Sequence, residues 1–182
     1  MDISVLQPVS WVAAAIGVCL AAVYYAMNLR ETTRNRRITL TNTLMQPFLT
    51  EEGMKNMIDL TDMEWTDFDD FMKKYDSKVN PSNFAKRMSL WNNIEVLGFQ
   101  YRSGMIDMGT VYSVCSNLIP MMWMKFKPVI DEYKKFDYSR DLYENFEFLA
   151  SEIAGYQARR DPSFKGSKQY FKPEEYDRAF GR

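Results

Sequence analysis

Apolar residues crowd the first thirty positions and then thin into stripes at helical spacing. From Val9 to Met27 the chain reads Val-Ser-Trp-Val-Ala-Ala-Ala-Ile-Gly-Val-Cys-Leu-Ala-Ala-Val-Tyr-Tyr-Ala-Met, and no charge falls between Asp2 and Arg30. At 1.5 Å per residue this stretch is about 29 Å long, the thickness of a bilayer's hydrocarbon core. Trp11 near one end and Tyr24 and Tyr25 near the other fit interfacial aromatic belts. Beyond them Leu29, Thr33, Leu40, Leu44 and Phe48 keep a partial apolar stripe, so the helix is expected to continue until Pro47 brings its end near.

The rest of the chain predicts a succession of shorter helices. Thr66 precedes Phe68, Phe71, Met72 and Tyr75 at i, i+3, i+4, i+7, an amphipathic helix with Thr66 as its expected N-cap. Asn80-Pro81-Ser82-Asn83 marks a turn and a helix start. Phe84, Met88, Trp91, Ile94, Glu95, Gly98 and Tyr101 then follow on one face, and Gly104 reads as the C-cap. Asp107 is an expected N-cap for Val111, Val114, Cys115, Leu118 and Ile119, with Pro120 as punctuation. Met121 to Lys135 carries Trp123, Phe126, Ile130 and Tyr133, and Pro128 is expected to kink or split it. Ser139 is expected to cap a helix through Leu142, Phe146, Leu149, Ile153 and Tyr156. After Gly155 the period fades, and 159–182 reads as an extended basic tail with a short helix near Glu174. No window alternates as a strand. The predicted architecture is all-α: a transmembrane anchor over 1–29, a basic juxtamembrane helix over 30–50, a helical domain over 51–158 and the tail.

Charge sets the topology. Arg30, Arg34, Arg36 and Arg37 follow the apolar run against a single Glu31, and only Asp2 precedes it. The positive-inside rule then places the N-terminus outside and everything after Arg30 in the cytoplasm of a cell-membrane protein. A cleaved signal peptide would carry its basic residues before the apolar run, not after it. The arginines also offer contacts to anionic lipid headgroups, beyond their part in topology. Ala13, Gly17 and Ala21 form a small-xxx-small stripe that would let a second membrane helix approach, from another copy or another subunit.

Composition narrows the chemistry. The net charge of −1 argues against a nucleic-acid-coating protein. His is absent and Cys occurs only at 19 and 115, so imidazole catalysis, His metal sites and a disulfide framework are excluded. Residues 51–76 hold nine acids against three Lys, but their spacing matches no calcium loop, and a solvated face is the simpler reading. No phosphate-binding loop, CxxC or nucleophile elbow occurs. No cofactor, metal or catalytic residue is therefore assigned, and the protein is read as a non-enzyme.

Glu95 shares a face with Met88, Trp91 and Gly98. A carboxylate there is expected to be half buried, as a proton-handling acid, a partner anchor, or a structural group paired with Arg87, Arg102 or Lys127. Trp91, Glu95, Tyr101 and Trp123 are the candidate ligand site, with ordinary core packing as the competing reading. Met121, Met122 and Met124 form a soft apolar cluster suited to core or partner contact. Gly98 most simply lets two helices come close.

The run Leu90-Trp91-Asn92-Asn93-Ile94-Glu95-Val96-Leu97-Gly98, continued through Tyr101, Gly104, Ile106-Asp107 and Val111 to Trp123, Pro128, Val129 and Ile130, resembles a family of small prokaryotic proteins known only as a domain of unknown function. The resemblance covers roughly residues 5–135. It implies a membrane-tethered helical module and transfers no catalytic residue. Together these readings point to an accessory or scaffold subunit whose partners are the lipid bilayer and other membrane subunits or itself. A membrane-anchored sensor binding a small ligand is the alternative.

Overall fold

The computed structural model describes residues 3–136, 139–164, 166 and 172–180. All regular structure among them is helical: α1 (Ile3–Leu49), α2 (Glu51–Thr61), α3 (Phe68–Tyr75), α4 (Pro81–Arg102), α5 (Met108–Cys115), α6 (Leu118–Phe136), α7 (Glu144–Arg160) and α8 (Pro173–Ala179). The chain divides into two compact units at Asn42/Thr43. The last turns of α1, Thr43–Leu49, therefore belong to the second unit, where Leu44, Met45 and Phe48 are buried.

In the first unit α1 is alone. Its stretch is long and apolar enough to cross a membrane, and none of that surface is buried by the chain. Trp11 is 69% exposed and Tyr24 73%.

The second unit is a helical bundle. Asp107 caps α5 by accepting from the Thr110 backbone N–H at 3.0 Å, as its position before the apolar stripe suggested. Asn80 caps α4, with Pro81 at the first helical position. Gly104, at φ +70°, closes α4: its N–H donates to Tyr101 O, and that of Met105 to Gln100 O, both at 2.9 Å.

Several boundaries differ from the expected ones. The cap of α3 is Asp67, which accepts from Asp70 N at 2.9 Å, not Thr66. Thr66 instead donates its own N–H back to the Asp70 carboxylate at 3.1 Å, so the two positions share the capping. The stripe from Val111 to Ile119 is broken after Cys115, because α6 restarts at Leu118. That break puts Pro120 in a first turn, where its missing N–H has no intrahelical acceptor to lose. Pro128 does not split α6, which runs on to Phe136. Phe126, Val129 and Ile130 are buried on both sides of it, and their packing outweighs the one lost hydrogen bond. Ser139 accepts from Asp141 N in a turn, and α7 begins later, at Glu144.

The core lies where α7 packs against α4 and α6, the two most extensive contacts of the unit. Trp91, Ile94, Leu97, Trp123, Phe126, Phe146 and Ile153 are buried there. Beyond α7, residues 161–164 continue without regular structure, and α8 is the short helix expected near Glu174. Of the stretch read as an extended tail, 165, 167–171 and 181–182 lie outside the described residues.

Candidate functional site

Glu95 sits half-buried on α4 and faces the start of α7. Its carboxylate accepts from Asn145 Nδ2 at 2.8 Å, Phe146 N at 2.8 Å and Asn145 N at 3.2 Å. These backbone donors belong to the first turn of α7, whose own N-cap residue, Tyr143, makes no side-chain capping bond. Tyr143 stands at φ +58°, in the left-handed region. A carboxylate from another helix thus satisfies the orphan N–H groups and lies at the positive end of the helix dipole.

None of the three cations expected to pair with Glu95 does so. Arg102 Nη1 bonds Glu144 at 2.7 Å, Lys127 Nζ bonds Asp131 at 2.9 Å, and Arg87 is held elsewhere. Backbone amides supply what a salt bridge was expected to supply, and a stripe of side chains cannot signal that.

Gly98, one turn on, fixes the approach of α4 to α7. A Cβ there would stand 2.2 Å from the Asn145 carbonyl oxygen, so only glycine fits.

Trp91 and Trp123 are fully buried. Trp91 meets Phe126 and Tyr143 edge-on, with centroids at 5.2 and 5.4 Å, and Trp123 meets Phe146 at 5.1 Å. Tyr101 lies farther along the same pair of helices. It stacks on Phe148 and donates to Glu152 Oε2 at 3.1 Å, and burial together with that carboxylate raises its pKa above the usual phenol value. Trp91, Glu95 and Trp123 therefore gather around the start of α7 among packed aromatic rings, and Tyr101 stands apart.

Arg87 is the feature that the pattern of stripes did not single out. Its side chain is fully buried on α4. The guanidinium carbon lies 4.6 Å from the Phe71 ring centroid and 5.3 Å from those of Phe84 and Trp91. Nη1 donates to Tyr75 O at 3.4 Å, while Nε and Nη2 have no hydrogen-bond partner. Burial lowers its pKa, and three ring faces stand in for a counterion. An arginine at i−4 from an apolar Trp was the available signal, but its burial needs α3 folded over it.

The open grooves of this unit lie elsewhere. One of about 510 Å³ is lined by Met63, Trp65, Lys74, Met124 and Lys125. Lys125 Nζ there donates to Thr61 O at 2.6 Å and Met63 O at 2.7 Å, capping the end of α2. Burial lowers its pKa. None of Trp91, Glu95, Tyr101 or Trp123 lines this groove.

Met122 is core, whereas Met121 and Met124 line a niche with Asn117, Pro120 and Gln157. Tyr176 of α8 also borders that niche, is buried, and donates to Gln157 Oε1 at 3.3 Å. Gln157 in turn donates to Asn117 Oδ1 at 3.1 Å. The soft cluster, expected to serve core or partner contact, thus packs partly into the core and partly beside this chain's own α8.

In the first unit Ala13, Gly17 and Ala21 are exposed, with open space where a Gly17 Cβ would stand. Arg30, Arg34, Arg36 and Arg37 are exposed too. Cys19 is exposed, while Cys115 is buried beside Met45, which pushes its thiol up to about 12. No group of three or more metal-ligating side chains occurs among the described residues.

The sequence pattern described as Domain of unknown function (DUF4760) matches residues 11–153, more than three quarters of the chain. The chain belongs to the DUF4760 family. The family pattern takes in the apolar part of α1, the Glu95–Gly98 contact and all but the last turns of α7, and it stops before α8. No curated protein matches the chain, and no solved structure does.

Proposed function

We propose that this DUF4760 protein is a non-enzymatic accessory or scaffold subunit of a membrane-associated complex, anchored in the cell membrane by α1. In this reading the N-terminus lies outside and the helical bundle in the cytoplasm. The observation that carries it is the apolar stretch of α1, which the chain leaves exposed while the bundle fills its own core. About 25 cal/mol per Å² of apolar surface left in water favours covering it with lipid or another membrane helix. The arginine cluster after the span supports the orientation. The stripe Ala13, Gly17, Ala21 supports a helix partner within the bilayer.

The test is extraction of the full chain from its native membrane in mild detergent, followed by mass and composition analysis. Recovery in fixed ratio with other membrane polypeptides is the expected result. Recovery as a lone monomer would overturn the proposal.

A further inference from the structure

Three of the four arginines after the apolar stretch share one face of α1. At 100° per residue, Arg34 lies about 40° from Arg30 on one side and Arg37 about 20° on the other. Arg36 falls about 100° outside this arc, and Glu31 about 60° outside it on the opposite side. Leu29, Arg30, Thr33, Arg34 and Arg37 line a shallow, open groove between side chains along this face. The Thr33 hydroxyl donates to Leu29 O at 2.8 Å, which keeps it against its own helix. The three arginines are exposed, and none forms an ion pair among the described residues.

Depth selects the occupant. Counting from Met27 at the end of the apolar run, the Cα atoms of Arg30, Arg34 and Arg37 stand about 4.5, 10.5 and 15 Å farther along the axis. Helical side chains lean back toward the N-terminus, here toward the apolar stretch, so the long stems of Arg34 and Arg37 carry their guanidinium groups back toward Arg30. Lipid phosphates lie within the roughly 5–8 Å of headgroup that borders the hydrocarbon core. Arginines at i and i+4 present their forks side by side, and a guanidinium matches a phosphate with two parallel hydrogen bonds. We propose that Arg30, Arg34 and Arg37 form a binding site for the phosphate of an anionic phospholipid, held against one face of α1, with Arg36 outside it. The inference deepens the membrane-anchored reading and rests on it.

Number of charges and placement of charges separate here. Orientation in the membrane depends on how many basic residues follow the span, whereas the site depends on their arc. The double substitution R34Q/N35R keeps the charge count and moves one guanidinium off the shared face. The full chain is reconstituted in vesicles of phosphatidylcholine with phosphatidylglycerol, released in mild detergent, and its retained lipids are counted by native mass spectrometry. Insertion is scored separately by resistance to alkaline carbonate extraction.

Wild type and R36Q should retain phosphatidylglycerol over phosphatidylcholine by at least about five-fold, the factor one guanidinium supplies at an anionic surface. R34Q/N35R should insert equally and lose the preference. Added inorganic phosphate should not displace the lipid. Equal retention of both lipids by an inserted wild-type chain would overturn the site. So would a loss in R36Q as large as in R34Q/N35R, or displacement by phosphate. A chain that alkaline carbonate extracts would overturn the membrane-anchored reading itself, and the site with it.

Discussion

Glu95 holds two backbone N–H groups that α7 has no residue of its own to hold, and this sets what substitution should do. Glu95→Ala removes a helix cap and a charged acceptor together, so a loss of about 2–3 kcal/mol is expected in urea unfolding. Glu95→Gln keeps one carbonyl oxygen and should cost less than half of that. Equal effects of the two would show that the carboxylate matters only by filling space. Arg87 makes the opposite prediction. Its unpartnered donors are a burden, so Arg87→Met, which keeps the stem among Phe71, Phe84 and Trp91, should leave stability within about 1 kcal/mol of wild type or raise it. Arg87→Ala should lose about 3 kcal/mol to the cavity. Cys115 should resist alkylation near neutral pH until the bundle unfolds, since burial suppresses its thiolate. The position of Glu95 on a buried face was legible from its neighbours. Its partner was not, because backbone donors at a helix start leave no mark in the pattern of side chains.

Helices were legible as elements where an apolar stripe and a cap agree, as at Asp107 and at Gly104. They were misread where one residue has two uses. A proline breaks a helix interior but suits a first turn, and Pro120 takes the second role only because the chain breaks after Cys115. Pro128 stays inside α6 because of what α6 packs on, which local pattern cannot report. Close approach of two helices is an element-scale property too. Gly98→Ala would drive a methyl into the Asn145 backbone, and a loss of about 1–3 kcal/mol is expected as α4 and α7 part. Acid should act on caps. Hydrogen bonds from Thr110 hold the pKa of Asp107 below its ordinary value. Its contribution to stability is complete above the unfolded carboxylate range near pH 4 and fades as the pH falls through the lower, folded value. Asp107→Asn should flatten that part of the acid unfolding curve, read by circular dichroism.

The whole chain divides at a point that composition conceals, since α1 crosses from one unit into the other without a break in its sequence of helical residues. Leu44, Met45 and Phe48 are core residues of the bundle, so the cut matters. A fragment over residues 38–182 should fold and stay in solution without detergent, whereas one over 50–182 should expose that core and aggregate, as light scattering would report. Removal of α8 should uncover Met121 and Met124 and lower the melting temperature by a few degrees, as the loss of about 1–2 kcal/mol implies for a unit of this size. The cap that α4 lends to α7 has a consequence in time. Glu95 and Phe146 are 51 positions apart, and a helix in a protein draws most of its stability from tertiary packing. During synthesis α4 leaves the ribosome first and waits, its carboxylate unsatisfied, for a segment still to be made. The first turn of α7 gains its cap only when that long loop closes. The order of assembly is thereby written into one side chain: what holds the finished bundle together also decides which of its joints closes late.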